Sequence, residues 1–599
     1  MKNIQEGKIK RIRSWMKFNN LNAYIVPHDD EYMSEYLPPQ NERLDWLTGF
    51  NGSAGIAIIT LDAAAIFIDG RYTVQVATQV ESDIFQIKHL INSPYLKWIE
   101  STIGKNSVVG FDPKLHTKNW LKKSNQILDD TIILKPLEEN PIDLLWKNKP
   151  IKKINKTVLL DEKYSGLSSE LKRMQVAKLL KKNNIDGMLI TSLDSICWLL
   201  NIRGNDIPCN PVILSHAMIF SNSTVNFFTD KTKISEGFME HVGSGVNLYS
   251  EKELKVKISN LKGQRIGFDM NLGNVWLFNC IKSGGAILEH VNDPCVLLKS
   301  CKNDIEADGM RKCHIRDGVA VVKFLAWIDR QIVKKTLLNE GELSDKLEKF
   351  RSLGDKFMGI SFDTISALDD NAAMCHYKHT NQETPKTMKQ NSIYLVDSGG
   401  QYLDGTTDIT RTISIGSPVS SAKKAFTLVL KGHIALSEAI FPEGTSGMQI
   451  DSLARQYLWR HGMDYDHGTG HGVGHYLNVH EGPQGIGKKG SPVPLKKGMV
   501  LSNEPGYYKT NQFGFRCENL VLVVEKKTAG ELKTLGFENL TMVPFDRNLI
   551  EFELMNNSEV QWLNDYHKEV WQKLSPYLLD DDLKWLENQT KEIKIHNKN

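Results

Sequence analysis

Cysteine is scarce in this chain and badly placed for bridging. Its 599 residues include eight cysteines, all after residue 196, irregularly spaced and with no C-x-x-C pair. This argues against a disulfide framework and points to a reducing compartment, the cytoplasm. Long apolar runs are missing too. The most apolar stretch, 55–68, is interrupted by Asp62 and is too short to span a bilayer. The opening M-K-N-I-Q-E-G-K-I-K-R-I-R-S-W has no apolar segment like that of a signal peptide. Nor is there an excess of one charge. The net value is +3 and no long basic run occurs, so neither nucleic acid nor a membrane is an expected partner. What is present is an ordinary globular composition, 41% hydrophobic and 24% charged. At this length the chain exceeds a single core and implies roughly three or four domains.

The first half reads as an internal duplication of α/β units. N-N-L-N-A-Y-I-V at 19–26 resembles N-N-I-D-G-M-L-I at 183–190, and each follows a basic segment of helical pattern. Trp46 has a counterpart in Trp198, and I-F-I-D at 66–69 one in N-F-F-T-D at 226–230. Strand-length apolar runs alternate with helical stretches, which implies α/β domains. Polar, lysine-rich sequence around 147–156 separates the two copies, and a second break falls near 298–304. A long amphipathic helix then opens a third region. The expected divisions are therefore 1–150, 151–302, 303–547 and a helical extension, 548–599, that packs on the third domain or on a partner subunit.

That third region carries five metal-type side chains in the order Asp397, Asp408, His471, Glu504, Glu518. Four carboxylates and one imidazole form a hard, oxygen-rich set, suited to two divalent ions such as Mn²⁺, Fe²⁺, Co²⁺ or Zn²⁺ and not to one structural zinc. Asp397 ends the strand-like S-I-Y-L-V-D and Asp408 opens D-I-T-R-T-I-S-I, with the turn pair Asp404-Gly405 between them. If the ladder sets the aspartates opposite each other, their Cβ atoms lie about 5 Å apart. Since the turn pair is off-centre, that register requires a bulge or irregular loop. In R-C-E-N-L-V-L, Arg516 and Glu518 are expected on one face of a strand. His467 and His471 have the spacing of a helical metal pair, but Gly468, Gly470, Gly472 and Gly474 would each cost a helix about 1 kcal/mol. Alternate glycines fit a strand or loop where another group approaches the backbone. Taken singly, each residue has an ordinary explanation as a cap, turn or solvated charge. Five ligand-type residues in apolar or glycine-rich settings are harder to dismiss together.

V-D-S-G-G-Q-Y-L-D-G-T-T-D-I-T-R-T, H-G-T-G-H-G-V-G-H-Y-L-N-V-H-E-G-P, N-E-P-G-Y-Y and R-C-E-N carry a resemblance to the pita-bread metallopeptidases, and most to the aminopeptidase P (Xaa-Pro aminopeptidase) family. G-F-N-G-S-A-G-I-A-I-I-T with I-D-G-R-Y-T-V-Q-V resembles that family's first domain, and W-L-L-N-I-R-G-N-D-I-P-C-N-P-V the second domain of its long, three-domain form. The fold implied is α/β (α+β): two related creatinase-like domains followed by a pita-bread catalytic domain. The resemblance implies that Asp397 holds one metal, that His471 and Glu504 hold the other, and that Asp408 and Glu518 bridge them. Glu504 would also act as general base for the attacking water. His376 and His480 match the histidines that contact the substrate carbonyl and the oxyanion. His467 matches the one lining the proline pocket. Arg516 and Thr410 match groups that orient the ligands. Lys378-His379 departs from the family pattern after H-Y, and one extra residue separates His376 from Asp397, so His379 is a minor rival for the role of His376.

The implied function is removal of the N-terminal residue from peptides with proline second, using two divalent ions, Mn²⁺ in the first place with Zn²⁺ or Co²⁺ as alternatives. A homodimer is implied by family analogy, and front domains that limit access to free peptides. The alternatives are a prolidase, restricted to dipeptides and carrying one such front domain, and a non-catalytic pita-bread module that binds peptides.

Overall fold

The computed structural model describes residues 2–594. Two compact units emerge, one of 1–160 with 167–295 and one of 161–166 with 296–599.

The first unit holds two six-stranded sheets of the same topology. One runs Gln86–His89, Ala64–Ile68, Ile56–Thr60, Ala23–Pro27, Val108–Phe111, Ile133–Pro136 across the sheet. The other runs Val246–Ser250, Val225–Thr229, Ser215–Phe220, Gly187–Ile190, Arg265–Phe268, Ile287–His290. The repeated N-N-x-[ND] motifs lead into the fourth strand of each order, so the duplication extends from sequence to architecture. It also governs how the copies meet. Thr117 caps helix Lys118–Ile127 and Asn274 caps the matching helix Val275–Ser283. The two caps face each other, with Lys118 N–H donating to Gly273 O at 3.0 Å and Val275 N–H to His116 O at 2.9 Å.

The second unit opens on helix Asp304–Val333, which starts where Asn303 and Glu306 form a capping box. Met310, Cys313, Asp317, Val321, Phe324 and Ile328 recur at helical spacing and are all buried, so one stripe faces the interior. Strands Ile365–Leu368, Ser392–Ser398 and Ile409–Ile415 form one sheet, and a six-stranded sheet contains Gly470–Gly472, Glu481–Ile486, Val500–Asn503 and Asn519–Lys526. Helices Asn557–Leu574 and Asp580–Gln589 close the unit. Leu563, Val570, Leu574 and Leu586 are fully buried in the same core cluster as Phe324 and Tyr394. Among the described residues no helix is long and apolar enough to cross a membrane.

The ladder departs from the opposed-aspartate register. Asp397 pairs with Thr410, not Asp408, and Asp408 lies just before its strand begins. The cause is Gly399, where a Cβ would sit 2.0 Å from Thr407 O; the chain turns there into a second small sheet, Gly400–Tyr402 with Gly405–Thr406. The R-C-E-N run is likewise not one strand, because Phe513–Arg516 and Asn519–Lys526 end and begin around Cys517 and Glu518.

Candidate active site

The metal-type residues come from five separate segments and converge in the second unit. Ligand atoms of Asp408, His471 and Glu518 all lie within 4.8 Å of one another. His471 Nε2 is 3.4 Å from Asp408 Oδ2 and 3.5 Å from Glu504 Oε1. His471 sits on the short strand Gly470–Gly472, where a Cβ on Gly470 would lie 1.9 Å from Ser502 O and one on Gly472 would lie 2.2 Å from Glu481 O. The alternate glycines thus let neighbouring strands close on the imidazole. Its Nδ1 is 2.9 Å from Gly472 O, an arrangement in which Nδ1–H donates and Nε2 keeps its lone pair for a cation. Ser502 couples two of these residues, accepting from His471 N–H at 2.9 Å and donating to Glu504 Oε1 at 3.0 Å.

Asp397 is reached from behind by Arg516, whose Nη2 donates to Oδ2. Arg516 Nε donates to Thr410 Oγ1 at 2.9 Å, and that hydroxyl donates to Glu518 Oε2 at 2.6 Å. The Asp397↔Thr410 register therefore puts a hydroxyl where an opposed aspartate was expected, linking two carboxylate-bearing segments. Arg516 Nη1 donates to the Tyr508 hydroxyl at 2.6 Å, and His467 Nε2 is 2.8 Å from the same oxygen. His467 Nδ1 is also 4.0 Å from Glu504 Oε2. Tyr508, on the hairpin Gly506–Lys509/Phe513–Arg516, and Ser502 are site residues that the sequence reading does not single out, although Tyr508 stands in the N-E-P-G-Y-Y motif. The ring of His480 packs edge-on against His471 with centroids 4.3 Å apart. His376 is partly buried on the segment between the turns Asp369–Ala373 and His379–Asn381. The rival His379 packs on the start of another helix, its ring 3.5 Å from where a Cβ of Gly341 would stand.

The electrostatics call for added positive charge. Burial pushes the Asp397 carboxyl up to about 7, with Arg516 opposing and the charges of Asp408 and Glu504 reinforcing the shift. Glu518 is driven well above the carboxylate range by burial and then by Asp408, Asp397 and Glu504. Glu504 also rises through burial, against the pull of His471 and Arg516. Burial alone would lower His471, but the Asp408 hydrogen bond and the Glu504 and Asp408 charges carry it up to about 9. The imidazole proton is thus the nearest substitute for a cation. Asp397 Oδ1 is buried with no hydrogen-bond partner. An orphaned carboxylate oxygen beside crowded acids is what a divalent ion would satisfy, so the residues fit a metal pair.

Comparison with known proteins agrees. Residues 308–525 match the model of metallopeptidase family M24 and 533–593 that of the C-terminal region of peptidase M24. Residues 8–142 and 148–306 match two models of the creatinase/prolidase N-terminal domain. A probable Xaa-Pro aminopeptidase P from Paracoccidioides brasiliensis (strain Pb03) is 42% identical over 611 aligned residues, covering 98% of this chain and 99% of the relative. This chain belongs to the Xaa-Pro aminopeptidase P family. Its fold is that of two creatinase-type α/β domains followed by a pita-bread metallopeptidase domain. A probable Xaa-Pro aminopeptidase P from Talaromyces marneffei is likewise 42% identical, covering 98% of this chain and 92% of the relative. The solved X-prolyl aminopeptidase of Caenorhabditis elegans, described as a cytosolic enzyme with a di-nuclear active site, superposes with TM-score 0.92 at 35% identity, covering 96% of this chain and 95% of that one.

Proposed function

We propose that this chain is a cytoplasmic, dinuclear Xaa-Pro aminopeptidase that hydrolyses the bond between an N-terminal residue and a following proline. Asp397, Asp408, His471, Glu504 and Glu518 hold two divalent ions, Mn²⁺ in preference to Zn²⁺ or Co²⁺. Such a pair supplies Lewis acidity for the scissile carbonyl and an acidified water at neutral pH. Glu504 takes a proton from the attacking water and delivers it to the proline nitrogen as the C–N bond breaks, releasing the first amino acid and a peptide that begins with proline. His376 and His480 donate to the developing oxyanion. His467 lines the proline pocket, its ring packed at 4.8 Å on Tyr465 and tied to Tyr508. Arg516 and Thr410 fix the carboxylates. A homodimer is the proposed assembly, and peptides with proline second are the proposed partners. The functional divisions are 1–150, 151–302, 303–547 and 548–599.

The observation that carries this reading is the convergence of Asp408, His471 and Glu518 within 4.8 Å, with an unsatisfied Asp397 oxygen. The likeness to the C. elegans enzyme, over 96% of this chain, supports the substrate class. A panel of Xaa-Pro dipeptides, Xaa-Pro-Yaa tripeptides, longer Xaa-Pro peptides and Xaa-Ala controls tests it, in chelator and then with separate metals. Cleavage of tripeptides and longer Xaa-Pro peptides, lost in chelator and restored best by Mn²⁺, is expected. Turnover confined to dipeptides would mean a prolidase. No metal bound and no cleavage after Mn²⁺ addition would mean a binding module.

A further inference from the structure

Helix Glu340–Ser352 begins with a carboxylate that solvent does not reach: Glu340 is 0% exposed. An acid at the first position of a helix ordinarily lies in water near the amide dipoles. This one instead collects four donors from a single stretch of chain. Leu368 N–H and the Asn371 side-chain amide reach Oε1 at 2.8 and 2.9 Å. The Tyr377 hydroxyl and Lys386 N–H reach Oε2 at 2.6 and 3.0 Å. The Asn371 amide also donates to the Tyr377 hydroxyl at 2.9 Å. Glu340 closes the contact from its own backbone, donating N–H to Lys386 O at 2.9 Å and accepting from Ser366 Oγ at 2.6 Å.

These donors bracket His376. Asn371 lies before it, Tyr377 immediately after it, and Lys386 at the far end of the same loop. The loop leaves strand Ile365–Leu368, in which Ile365 pairs with Asp397. It then presses on strand Phe513–Arg516 so tightly that a Cβ on Gly514 would lie 1.8 Å from Ala372 O. Two backbone N–H groups cannot reverse their polarity, so the site needs an acceptor-only side chain, which an ionised carboxylate is and an amide is not.

We propose that Glu340 is a positioning residue for the reaction, its carboxylate fixing the 368–386 loop through Asn371, Tyr377 and Lys386 so that His376 is presented to the substrate carbonyl. This rests on the role given to His376 above. Glu340→Gln keeps the shape but turns an acceptor into a donor facing donors.

The test is a cycle on the full-length, Mn²⁺-loaded enzyme: parent, Glu340→Gln, His376→Ala and the double variant, each with kcat, KM, Mn²⁺ content and Tm. Glu340→Gln is expected to lower kcat roughly 10–100-fold, as small misplacements of a catalytic group do, with Mn²⁺ content unchanged. Because it acts through His376, the double variant is expected to be no slower than His376→Ala alone. Losses that multiply, or a Glu340→Gln enzyme within about twofold of the parent, would overturn the proposal. A fully active His376→Ala would instead refute the role given to His376, and the proposal with it. Should Glu340→Gln fail to fold, Tyr377→Phe removes one hydroxyl and carries the same cycle, with a smaller loss expected and the same non-additivity required.

Discussion

Arg516 and Asp397 form a charge-assisted contact at the back of the candidate metal centre, and it uses only one carboxylate oxygen. Nη2 donates to Oδ2, while Oδ1 is buried without a partner. The same guanidinium reaches Thr410 and Tyr508, so its planar fork serves three groups at once. Arg516→Lys keeps the charge and loses the fork. Mn²⁺ affinity or kcat is expected to fall roughly 10–100-fold, read by calorimetric titration and by turnover of an Xaa-Pro-Yaa peptide. Unchanged values for both would show that the fork is dispensable.

Glu504 and His467 lie 4.0 Å apart, yet their loss should read differently in kinetics. Glu504 is assigned both to a metal and to the proton transfer, so Glu504→Ala is expected to lower kcat by at least ~10²-fold. His467 touches Tyr508 and is proposed only to line the proline pocket, so His467→Ala should raise KM more than it lowers kcat. Steady-state kinetics on one tripeptide separates the two. Full activity in Glu504→Ala would overturn the site assignment.

How legible each part of this molecule is in its sequence follows from how local the signals are. The two front sheets are legible because inner strands such as Ala23–Pro27, Ile56–Thr60, Ala64–Ile68 and Gly187–Ile190 are apolar runs. Each copy also repeats the same cue ahead of its Ala23–Pro27 or Gly187–Ile190 strand. The alternate glycines around His471 carried a correct steric message, since Ser502 O and Glu481 O do close on Gly470 and Gly472. The aspartate register was not legible. It depends on Thr407 O approaching Gly399 within the hairpin, where the off-centre turn pair signals an irregular loop but not which residue then faces Asp397. Tyr508 was missed for a related reason. A tyrosine in a strand usually packs by its ring, and its use as a bridge between His467 and Arg516 exists only once the hairpin has closed. Glu340 was hidden in the same way, because a helix-start glutamate reads as a solvated charge.

Buried histidines make acid pH costly. Burial, helped by Arg547 and Arg411, holds His567 down to about 3, and burial holds His116 down to about 4 against its bond to Asp112 O. Each binds fewer protons folded than unfolded. The stability it contributes is therefore present above the unfolded value of about 6.5 and is lost as pH falls toward 4 and below. The histidine contribution is expected to lower the urea midpoint between pH 7 and pH 5, against carboxyls such as Asp397 whose raised value works the other way. His567→Gln, whose amide oxygen can still accept the Phe545 N–H now held at 3.2 Å, should show a shallower drop. Parallel pH profiles for parent and variant would rule His567 out as a contributor.

Glu481 follows His480 directly and is clasped by two lysines. Lys299 Nζ lies 3.2 Å from Oε2, Lys302 Nζ donates to Oε1, and all three side chains are at most 2% exposed. Lys302 is also stitched to Gly498, donating N–H to its carbonyl at 2.9 Å, so the cluster ties the 299–302 segment to the strand that follows His480. One carboxylate serves two buried ammonium groups, hydrogen-bonded to Lys302 and ion-paired with Lys299. Removing it strands both cations, at a cost of about 3–5 kcal/mol for breaking such a pair. Glu481→Ala is therefore expected to lower the unfolding midpoint steeply. Glu481→Ala/Lys299→Met/Lys302→Met, which removes the charges together, should recover most of that loss. Activity in the triple variant then reports on His480, because stability returns while the clasp on its neighbour does not. A Glu481→Ala protein as stable as the parent would mean that water reaches the lysines and that the clasp is not a buried one.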